Sequence, residues 1–230
     1  MAVTDKLPEL IGKSPLRVDV HGKVTGAAIY TDDIQFGKNL LYARVKRSPH
    51  PHALIKKIDT SKAEALPGVK VIVTGKDYPQ RIGLYLKDKN IFATDRVRFV
   101  GEAVAGVAAV NEEIAEKACE LIEVEYELLE PVFDPIYGAS PDAPLIHPDM
   151  CDYEVANFIF PKPGTNISNH FKARKGDVDR AWKDCAAIVE KSFHIPQVQH
   201  VPIEPHIAIA KADDNGRVTL WASSQSPFAQ

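Results

Sequence analysis

The fold of this 230-residue chain is indicated most clearly by residues 97–127, VRFVGEAVAGVAAVNEEIAEKACELIEVEYE. Its nearly continuous apolar run from Ala103 to Val110 predicts a buried strand. Asn111 then predicts the start of a helix, because its side chain can cap the first turn and apolar residues recur at helical spacing as far as Ile122. A further strand is predicted over residues 123–129. The stretch therefore predicts a strand, a helix and a strand packed in layers.

The sequence before this stretch shows the same alternation. Residues 40–48 and 53–59 predict two strands, and residues 60–69 predict a short helix that Thr60 or Asp59 caps and that Pro67 and Gly68 end. The β-branched residues that follow predict another strand, and a polar loop is predicted over residues 75–90. Residues 1–38 predict an extended arm with turns and one short strand near residues 27–31. Residues 39–130 thus predict an α/β or α+β domain.

The sequence after residue 130 predicts a looser organisation. A proline-rich stretch over residues 131–165 predicts an extended connection, residues 178–186 predict a helix, and residues 188–195 predict a strand. The last predicted feature is a hairpin with strands at residues 207–210 and 218–222, because the turn between them contains Asn-Gly, which tolerates positive φ. The second strand ends just before Ser224, Gln225 and Ser226. Ligand-facing side chains are common at such strand ends.

The composition excludes several classes of function. The chain has 28 basic and 31 acidic residues and a formal charge of -3, with no long run of either sign, so no nucleic-acid or membrane partner is expected. Cys119, Cys151 and Cys185 lie far apart, which argues against a disulfide framework or a cysteine-bound metal cluster and favours a reducing compartment. Residues 1–10 do not resemble a signal peptide, and no run approaches the ~20 apolar residues of a membrane span. These features predict a cytoplasmic location.

Two groups of histidines could hold a metal ion. His50 and His52 flank Pro51 on a predicted turn, where turn packing and hydrogen bonding explain them better than metal binding. The second group has more possible ligands, but three prolines distort its strand, so buried structural hydrogen bonds are favoured and a metal remains the alternative. Its members are His194, His200, Glu204 and His206. The sequence has no GxSxG elbow, P-loop or GxGxxG fingerprint.

Several segments carry a resemblance to a known family. They are KVTGAAIYTDDI at residues 23–34, LYARVKRSPHPHALIKKIDTSKAEALPGV at 41–69, the stretch at 97–127, HVPIEPH at 200–206 and LWASSQSPF at 220–228. Together and in this order they resemble the molybdenum-binding large subunit of the xanthine dehydrogenase and aldehyde oxidase family. The resemblance implies an α+β fold with an arm (residues 1–23), an α/β hammerhead domain (24–136), a proline-rich linker (137–163) and the incomplete beginning of a mixed α/β molybdopterin-binding domain (164–230).

The same resemblance implies a function. The chain is similar to the N-terminal portion of the catalytic subunit of a molybdenum hydroxylase, which hydroxylates a heterocycle or an aldehyde-like substrate at a molybdopterin cofactor. Electrons then pass to 2Fe-2S clusters and FAD, which are expected on an iron–sulfur subunit and an FAD subunit. Gln225 matches a family glutamine that hydrogen-bonds a metal-bound oxygen or the cofactor, because a neutral amide can donate without adding charge. The remainder of the molybdenum subunit is the third expected partner.

The chain also departs from the family pattern. It contains neither the glycine-rich GGGFGG-type segment nor the distant glutamate that acts as general base, so no catalytic residue and no metal ligand is assigned within it. Glu204 is interpreted as a structural carboxylate. We expect a piece of a longer product or a split subunit that is inactive alone, and we leave the substrate open. The alternative function is a non-catalytic assembly module that docks the other subunits of such a complex.

Overall fold

A computed structural model describes residues 11–226 of the chain. Its helices and strands follow in chain order. The helices are α1 (Val20–Thr25), α2 (Ser61–Glu64), α3 (Glu112–Leu121), α4 (Pro135–Gly138) and α5 (Val178–Asp184). The strands are β1 (Tyr42–Arg47), β2 (Ala53–Asp59), β3 (Val69–Thr74), β4 (Arg81–Ile82), β5 (Lys89–Asn90), β6 (Arg96–Val97), β7 (Ala103–Ala109), β8 (Glu123–Leu128), β9 (Ala208–Ala212) and β10 (Val218–Ala222). Short 3-10 turns occur at Thr31–Asp33, Gly37–Asn39 and Met150–Asp152.

The chain divides into two units. Residues 37–192 form the first, and residues 11–36 with residues 193–226 form the described part of the second. The first unit contains two three-stranded antiparallel sheets, with strand orders β1-β7-β3 and β6-β2-β8. This arrangement confirms the α+β class predicted from the sequence.

Strand β7 is the central element of the first unit. Alternate residues of a strand point to opposite faces of its sheet, and β7 uses both faces. Ala105 and Val107 pack in one apolar cluster with Ile122 and with residues of α2 and α3, whereas Val104 packs in a second cluster with Val97 and Ala53. The predicted buried strand is therefore confirmed, and it forms the wall that the two cores share.

Helix α3 begins as the sequence predicts. The Oδ1 atom of Asn111 accepts a hydrogen bond from the Ile114 amide at 2.8 Å, which satisfies one of the free N–H groups of the first turn. Ala115 and Ala118 are fully buried on the face that meets the sheet. The predictions of β1, β2, α2, β3 and β8 are confirmed as well, although α2 spans only four residues and its N-cap Thr60 makes no side-chain cap bond.

Three local predictions are wrong. The polar loop at residues 75–90 contains the two-residue hairpin strands β4 and β5. The arm has no strand at residues 27–31. Instead Gly26, with a φ of 75°, caps the end of α1, and the amides of Ala27 and Ala28 donate to the Gly22 carbonyl. Residues 188–195 form no strand within the described chain, because no other strand there pairs with them and their side chains are exposed.

The second unit contains the antiparallel hairpin of β9 and β10. Their register runs from Val218 opposite Ala212 to Ala222 opposite Ala208, and the predicted turn joins them. Asp213 shapes this turn, because its Oδ1 atom accepts from the amides of Asn215 at 3.0 Å and Arg217 at 2.9 Å. The Trp221 ring contacts the Phe36 ring edge-on, with centroids 4.8 Å apart. No residue between 193 and 226 is buried.

Within residues 11–226, no helix has the length and apolar character needed to cross a membrane.

Candidate functional site

Gln225 lies in the bend that follows β10. Its side chain is exposed, and no hydrogen bond among residues 11–226 engages its amide group. The amide offers two N–H donors and one carbonyl acceptor. All three are available to a ligand as far as the described residues are concerned. The structure thus places Gln225 at a strand end, and its role in binding remains a prediction.

Ser223 joins the end of β10 to the segment before β9. Its Oγ atom accepts a hydrogen bond from the Ile207 amide at 3.1 Å and donates one to the Pro205 carbonyl at 3.2 Å. Its backbone amide also donates to the Ile207 carbonyl at 3.2 Å. One serine therefore fixes three backbone groups of the neighbouring segment, two residues before Gln225. We call these three hydrogen bonds the Ser223 clamp.

Ser224 shapes the bend itself. Its Oγ atom accepts a hydrogen bond from the Ser226 amide at 3.1 Å, which closes a short side-chain turn around Gln225. The two neighbours of Gln225, Ser224 and Ser226, are therefore joined to each other by this hydrogen bond. The strand-end pattern predicts Ser224, Gln225 and Ser226 as candidates but not the clamp, whose sequence signal is a hydroxyl residue directly after a strand.

The second histidine group does not form a metal site in the described chain. His194, His200, Glu204 and His206 are all exposed. Nowhere between residues 11 and 226 do three or more histidine, cysteine or acidic side chains gather closely enough to hold a metal ion. The buried hydrogen bonds predicted for this group are wrong as well, because residues 193–206 bury none of their side chains. The structural role of Glu204 remains a prediction.

His50 and His52 pack as the sequence predicts for a turn. His52 is buried, and its Nδ1 atom lies 2.7 Å from the Glu130 carbonyl oxygen. The His50 ring contacts the Tyr126 ring edge-on, with centroids 4.9 Å apart. The His52 carbonyl also accepts from the Leu129 amide at 3.0 Å. The turn therefore ties the start of β2 to the end of β8.

A polar network in the first unit was missed by the sequence analysis. Asp149 pairs with the Arg81 guanidinium and accepts a hydrogen bond from the Tyr153 hydroxyl at 3.2 Å. The guanidinium carbon lies 4.5 Å above the centre of the Tyr153 ring, a cation–π contact. His147 Nδ1 is 2.7 Å from the same hydroxyl, so with the tyrosine proton directed to Asp149 the imidazole donates from Nδ1.

Burial controls the protonation of this network. It raises the pKa of Tyr153 to about 12, with the Asp149 charge contributing, so the hydroxyl keeps its proton near neutral pH. It lowers the pKa of His147 below its usual value, and the Arg98 charge adds to the effect. The network holds residues 147–153 against β4. Its members are all engaged with one another, which is typical of a structural rather than a catalytic group.

The three cysteines are free thiols. Cys151 and Cys185 are exposed, whereas Cys119 is half-buried on α3 and its pKa is raised by burial.

Two family descriptions match the chain. Residues 25–130 match the a/b hammerhead domain of aldehyde oxidase and xanthine dehydrogenase. Residues 159–230 match the molybdopterin cofactor-binding domain. Ser223 and Gln225 therefore fall within the segment that matches a cofactor-binding domain.

Curated relatives extend over almost the whole chain. Over 94% of its length it is 37% identical to a probable xanthine dehydrogenase subunit of Bacillus subtilis, of which it covers 27%. Over 95% of its length it is 34% identical to the nicotinate dehydrogenase large molybdopterin subunit of Eubacterium barkeri, of which it covers 48%. The chain thus spans between about a quarter and a half of the length of these relatives.

A solved structure gives the same result. The reconstituted CO dehydrogenase of Oligotropha carboxidovorans superposes with a TM-score of 0.77 and 30% identity, and the match covers 92% of this chain and 27% of that one. The resemblance inferred from the sequence is confirmed. The chain belongs to the aldehyde oxidase and xanthine dehydrogenase family, whose hammerhead domain it carries together with sequence of the molybdopterin cofactor-binding domain.

Proposed function

We propose that this chain contributes the hammerhead domain and one wall of the molybdenum-cofactor site to a molybdenum hydroxylase. In this proposal Gln225 donates an amide hydrogen bond to the cofactor. The observation that carries the proposal is the exposed amide at a strand end inside the segment that matches the cofactor-binding domain. The chain is then part of an oxidoreductase, which the names of two relatives support, since both are called dehydrogenase subunits.

The residues around Gln225 fit such a contact. Residues 223–226 contain three serines and one glutamine, so no carboxylate lies there to repel an anionic cofactor. A neutral amide can donate a hydrogen bond without changing the charge of the site, and the serine hydrogen bonds on either side restrict how it is presented. The donor chemistry of this strand end therefore suits a polar cofactor.

When bound, the molybdenum cofactor supplies the two-electron chemistry for hydroxylating a carbon centre with oxygen from water. The task of this chain is to bind and orient. Gln225 holds one polar atom of the cofactor by hydrogen bonding, and the hairpin keeps that donor at a fixed place. A donor fixed in advance strengthens an interaction because little conformational freedom is lost on binding.

Electron acceptors are proposed on partner chains. Two relatives are named as subunits, one of a xanthine dehydrogenase and one of a nicotinate dehydrogenase, which supports a complex of several chains. We place the 2Fe-2S clusters and the FAD on such partners, together with the remainder of the molybdenum subunit. The names of three relatives contain xanthine, nicotinate and carbon monoxide. We therefore propose a heterocycle or another small carbon compound as the substrate and do not choose among these.

The test replaces Gln225 in the complete assembled enzyme. Gln225→Ala is expected to lower turnover per bound molybdenum by about 10- to 100-fold, as loss of a partner that orients a metal's ligands does. Turnover is measured with a dye acceptor on xanthine, nicotinate and an aromatic aldehyde. Molybdenum is measured by mass spectrometry and molybdopterin by the fluorescence of its oxidised pterin. Gln197→Ala, at another exposed glutamine, is the control.

Unchanged turnover and cofactor content in Gln225→Ala would favour the assembly-module alternative. A second measurement concerns the 230-residue chain alone. It is expected to carry no molybdenum and to show no hydroxylase activity, because Gln225 supplies a single contact. Stoichiometric molybdopterin bound to the isolated chain would contradict the proposal.

A further inference from the structure

We infer that Ser223 is a positioning residue that fixes Gln225 for cofactor binding, an inference that rests on the proposed function. The Ser223 hydroxyl accepts from the Ile207 amide at 3.1 Å and donates to the Pro205 carbonyl at 3.2 Å. It therefore joins the chain that leaves β10 to the chain that enters β9. Gln225 follows two residues later, so the path of the backbone toward it starts at this junction.

A hydroxyl group suits the two side-chain hydrogen bonds of the clamp, to the Ile207 amide and the Pro205 carbonyl. It can donate one hydrogen bond and accept others at the same time. The two backbone groups it meets, the Ile207 amide and the Pro205 carbonyl, lie beyond the last cross-strand pair, Ala222 opposite Ala208, and no backbone group among residues 11–226 bonds to them. Alanine at position 223 would leave both groups without a side-chain partner, whereas threonine would keep the hydroxyl.

Backbone strain lies a few residues before the clamped residues 205–207. Val201 has a φ of 48°, which is a rare value for a β-branched residue. Such a conformation persists only where surrounding contacts prevent the chain from relaxing. Between residues 193 and 226 no side chain is buried, so apolar packing does not hold this segment within the described unit. The hydrogen bonds of Ser223 are the contacts that tie residues 205–207 to the strand end.

The hairpin does not need the clamp to form. Five cross-strand pairs and the Asp213 turn hold β9 and β10 together independently of the Ser223 side chain. Loss of the hydroxyl should therefore leave the hairpin in place and loosen only its open end. Gln225 lies at that end, so loss of the Ser223 hydroxyl should lower turnover only by displacing the Gln225 side chain.

A double-mutant cycle in the assembled enzyme tests this coupling. Ser223→Ala is expected to lower kcat per bound molybdenum by about 3- to 10-fold, the effect of losing hydrogen bonds of ordinary strength, while KM stays unchanged. In a Gln225→Ala background the same substitution should cause no further loss. Ser223→Thr should restore kcat to within about 2-fold. Thr219→Ala, which removes an exposed hydroxyl elsewhere on β10, is the matched control and should leave kcat unchanged.

Hydrogen exchange provides a readout that does not depend on activity. In the assembled enzyme, Ser223→Ala should speed exchange of the Ile207 amide by about 5-fold, and Ser223→Thr should restore its protection. If Ser223→Ala does not assemble, Ser223→Val replaces it in both measurements, because valine has the shape of threonine without the hydroxyl.

The outcomes separate this inference from the function on which it rests. Equal losses from Ser223→Ala in both backgrounds, failure of threonine to rescue, or unchanged Ile207 exchange would overturn the positioning role. So would a harmless Ser223→Ala in an enzyme that Gln225→Ala damages, and in that case the proposed function would stand. A harmless Gln225→Ala would instead overturn the proposed function, and the positioning role with it.

Discussion

The sheets around α3 and the hairpin of β9 and β10 are held by different forces. In the first, two apolar clusters bury Val104, Val107 and Ile122 almost completely. In the second, residues 193–226 bury no side chain, and the geometry comes from ladder hydrogen bonds, from the side chains of Asp213 and Ser223, and from the edge-on contact of Trp221 with Phe36. A two-stranded hairpin alone is at best marginally stable in water. Stability and site geometry therefore depend on different residues and can be changed separately.

The largest expected effect contrasts a buried with an exposed isoleucine. Ile122 has 1% of its surface exposed, whereas Ile203 is fully exposed. Ile122→Ala should lower the free energy of unfolding by about 2–5 kcal/mol, because it leaves a cavity in the core. Ile203→Ala should change it by less than about 0.5 kcal/mol. Urea unfolding of the 230-residue chain measures both, and equal losses would show that the two regions do not differ as described.

The next prediction concerns one side-chain oxygen in each region that accepts backbone hydrogen bonds, Asn111 Oδ1 and Asp213 Oδ1. Asn111→Ala loses the cap of α3 and should lower the free energy of unfolding by about 1 kcal/mol, since that helix packs on the core. Asp213→Ala loses two hydrogen bonds of the hairpin turn but should leave global unfolding unchanged.

The loss in Asp213→Ala should instead appear as faster hydrogen exchange of the Arg217 amide, because opening of the hairpin is a local event. Denaturant curves together with residue-resolved exchange give both quantities. A drop in global stability from Asp213→Ala comparable to that from Asn111→Ala would mean that the hairpin unfolds together with the core.

A smaller difference should depend on pH. Burial lowers the pKa of His147 in the folded chain, so the unfolded chain binds more protons between that lowered value and about 6.5. The stability contribution is therefore present above about pH 6.5 and is lost as the pH falls below it. His147→Gln should flatten the fall in thermal stability between about pH 7.5 and 5.5.

The unsubstituted chain, measured in parallel, provides the control for this measurement. Thermal unfolding followed by circular dichroism at a series of pH values is sufficient. If the slope of thermal stability against pH is unchanged in His147→Gln, then His147 does not contribute to the acid sensitivity of the first unit.

The smallest effect is expected for ion pairs on the surface of the first unit. Lys56 on β2 pairs with Glu127 on β8, and both side chains are about half exposed. Such pairs contribute between about 0 and 1 kcal/mol and are screened by salt. Lys56→Met should change the free energy of unfolding by no more than this, and about 0.5 M salt should abolish the difference. A larger, salt-resistant loss would mean that the aliphatic part of Lys56 packs on the sheet.

The sequence predicts best where one local pattern determines the structure. The apolar run of β7, the Asn111 cap of α3 and the Asn-Gly turn of the hairpin each require only neighbouring residues, and each is confirmed. The strands β4 and β5 escape prediction because two residues carry no periodicity. Residues 188–195 have strand-like composition but lack a partner in the described chain, which composition cannot reveal.

The candidate site was predictable only in part. The strand end before Gln225 follows from the hairpin pattern, but its link to molybdopterin came from resemblance to a family. The Ser223 clamp joins residues 16 and 18 positions apart, and the pair of Arg81 with Asp149 spans 68 positions. No spacing rule within a single strand or helix can bring such residues together. Contacts of this kind depend on the folded arrangement of several elements.

The pairing of β1 with β7 has a consequence for how the chain is made. The ribosome completes β1 at Arg47, but β7, with which β1 pairs, begins only at Ala103. In the same way, β2 is synthesised well before its partner β8. At about 5–20 residues per second, β1 emerges roughly 3–11 seconds before β7 is available. During that interval its edge is open to other nascent chains. Slower translation between the two strands should therefore increase aggregation, and a chaperone that shields the edges of early strands should increase the yield.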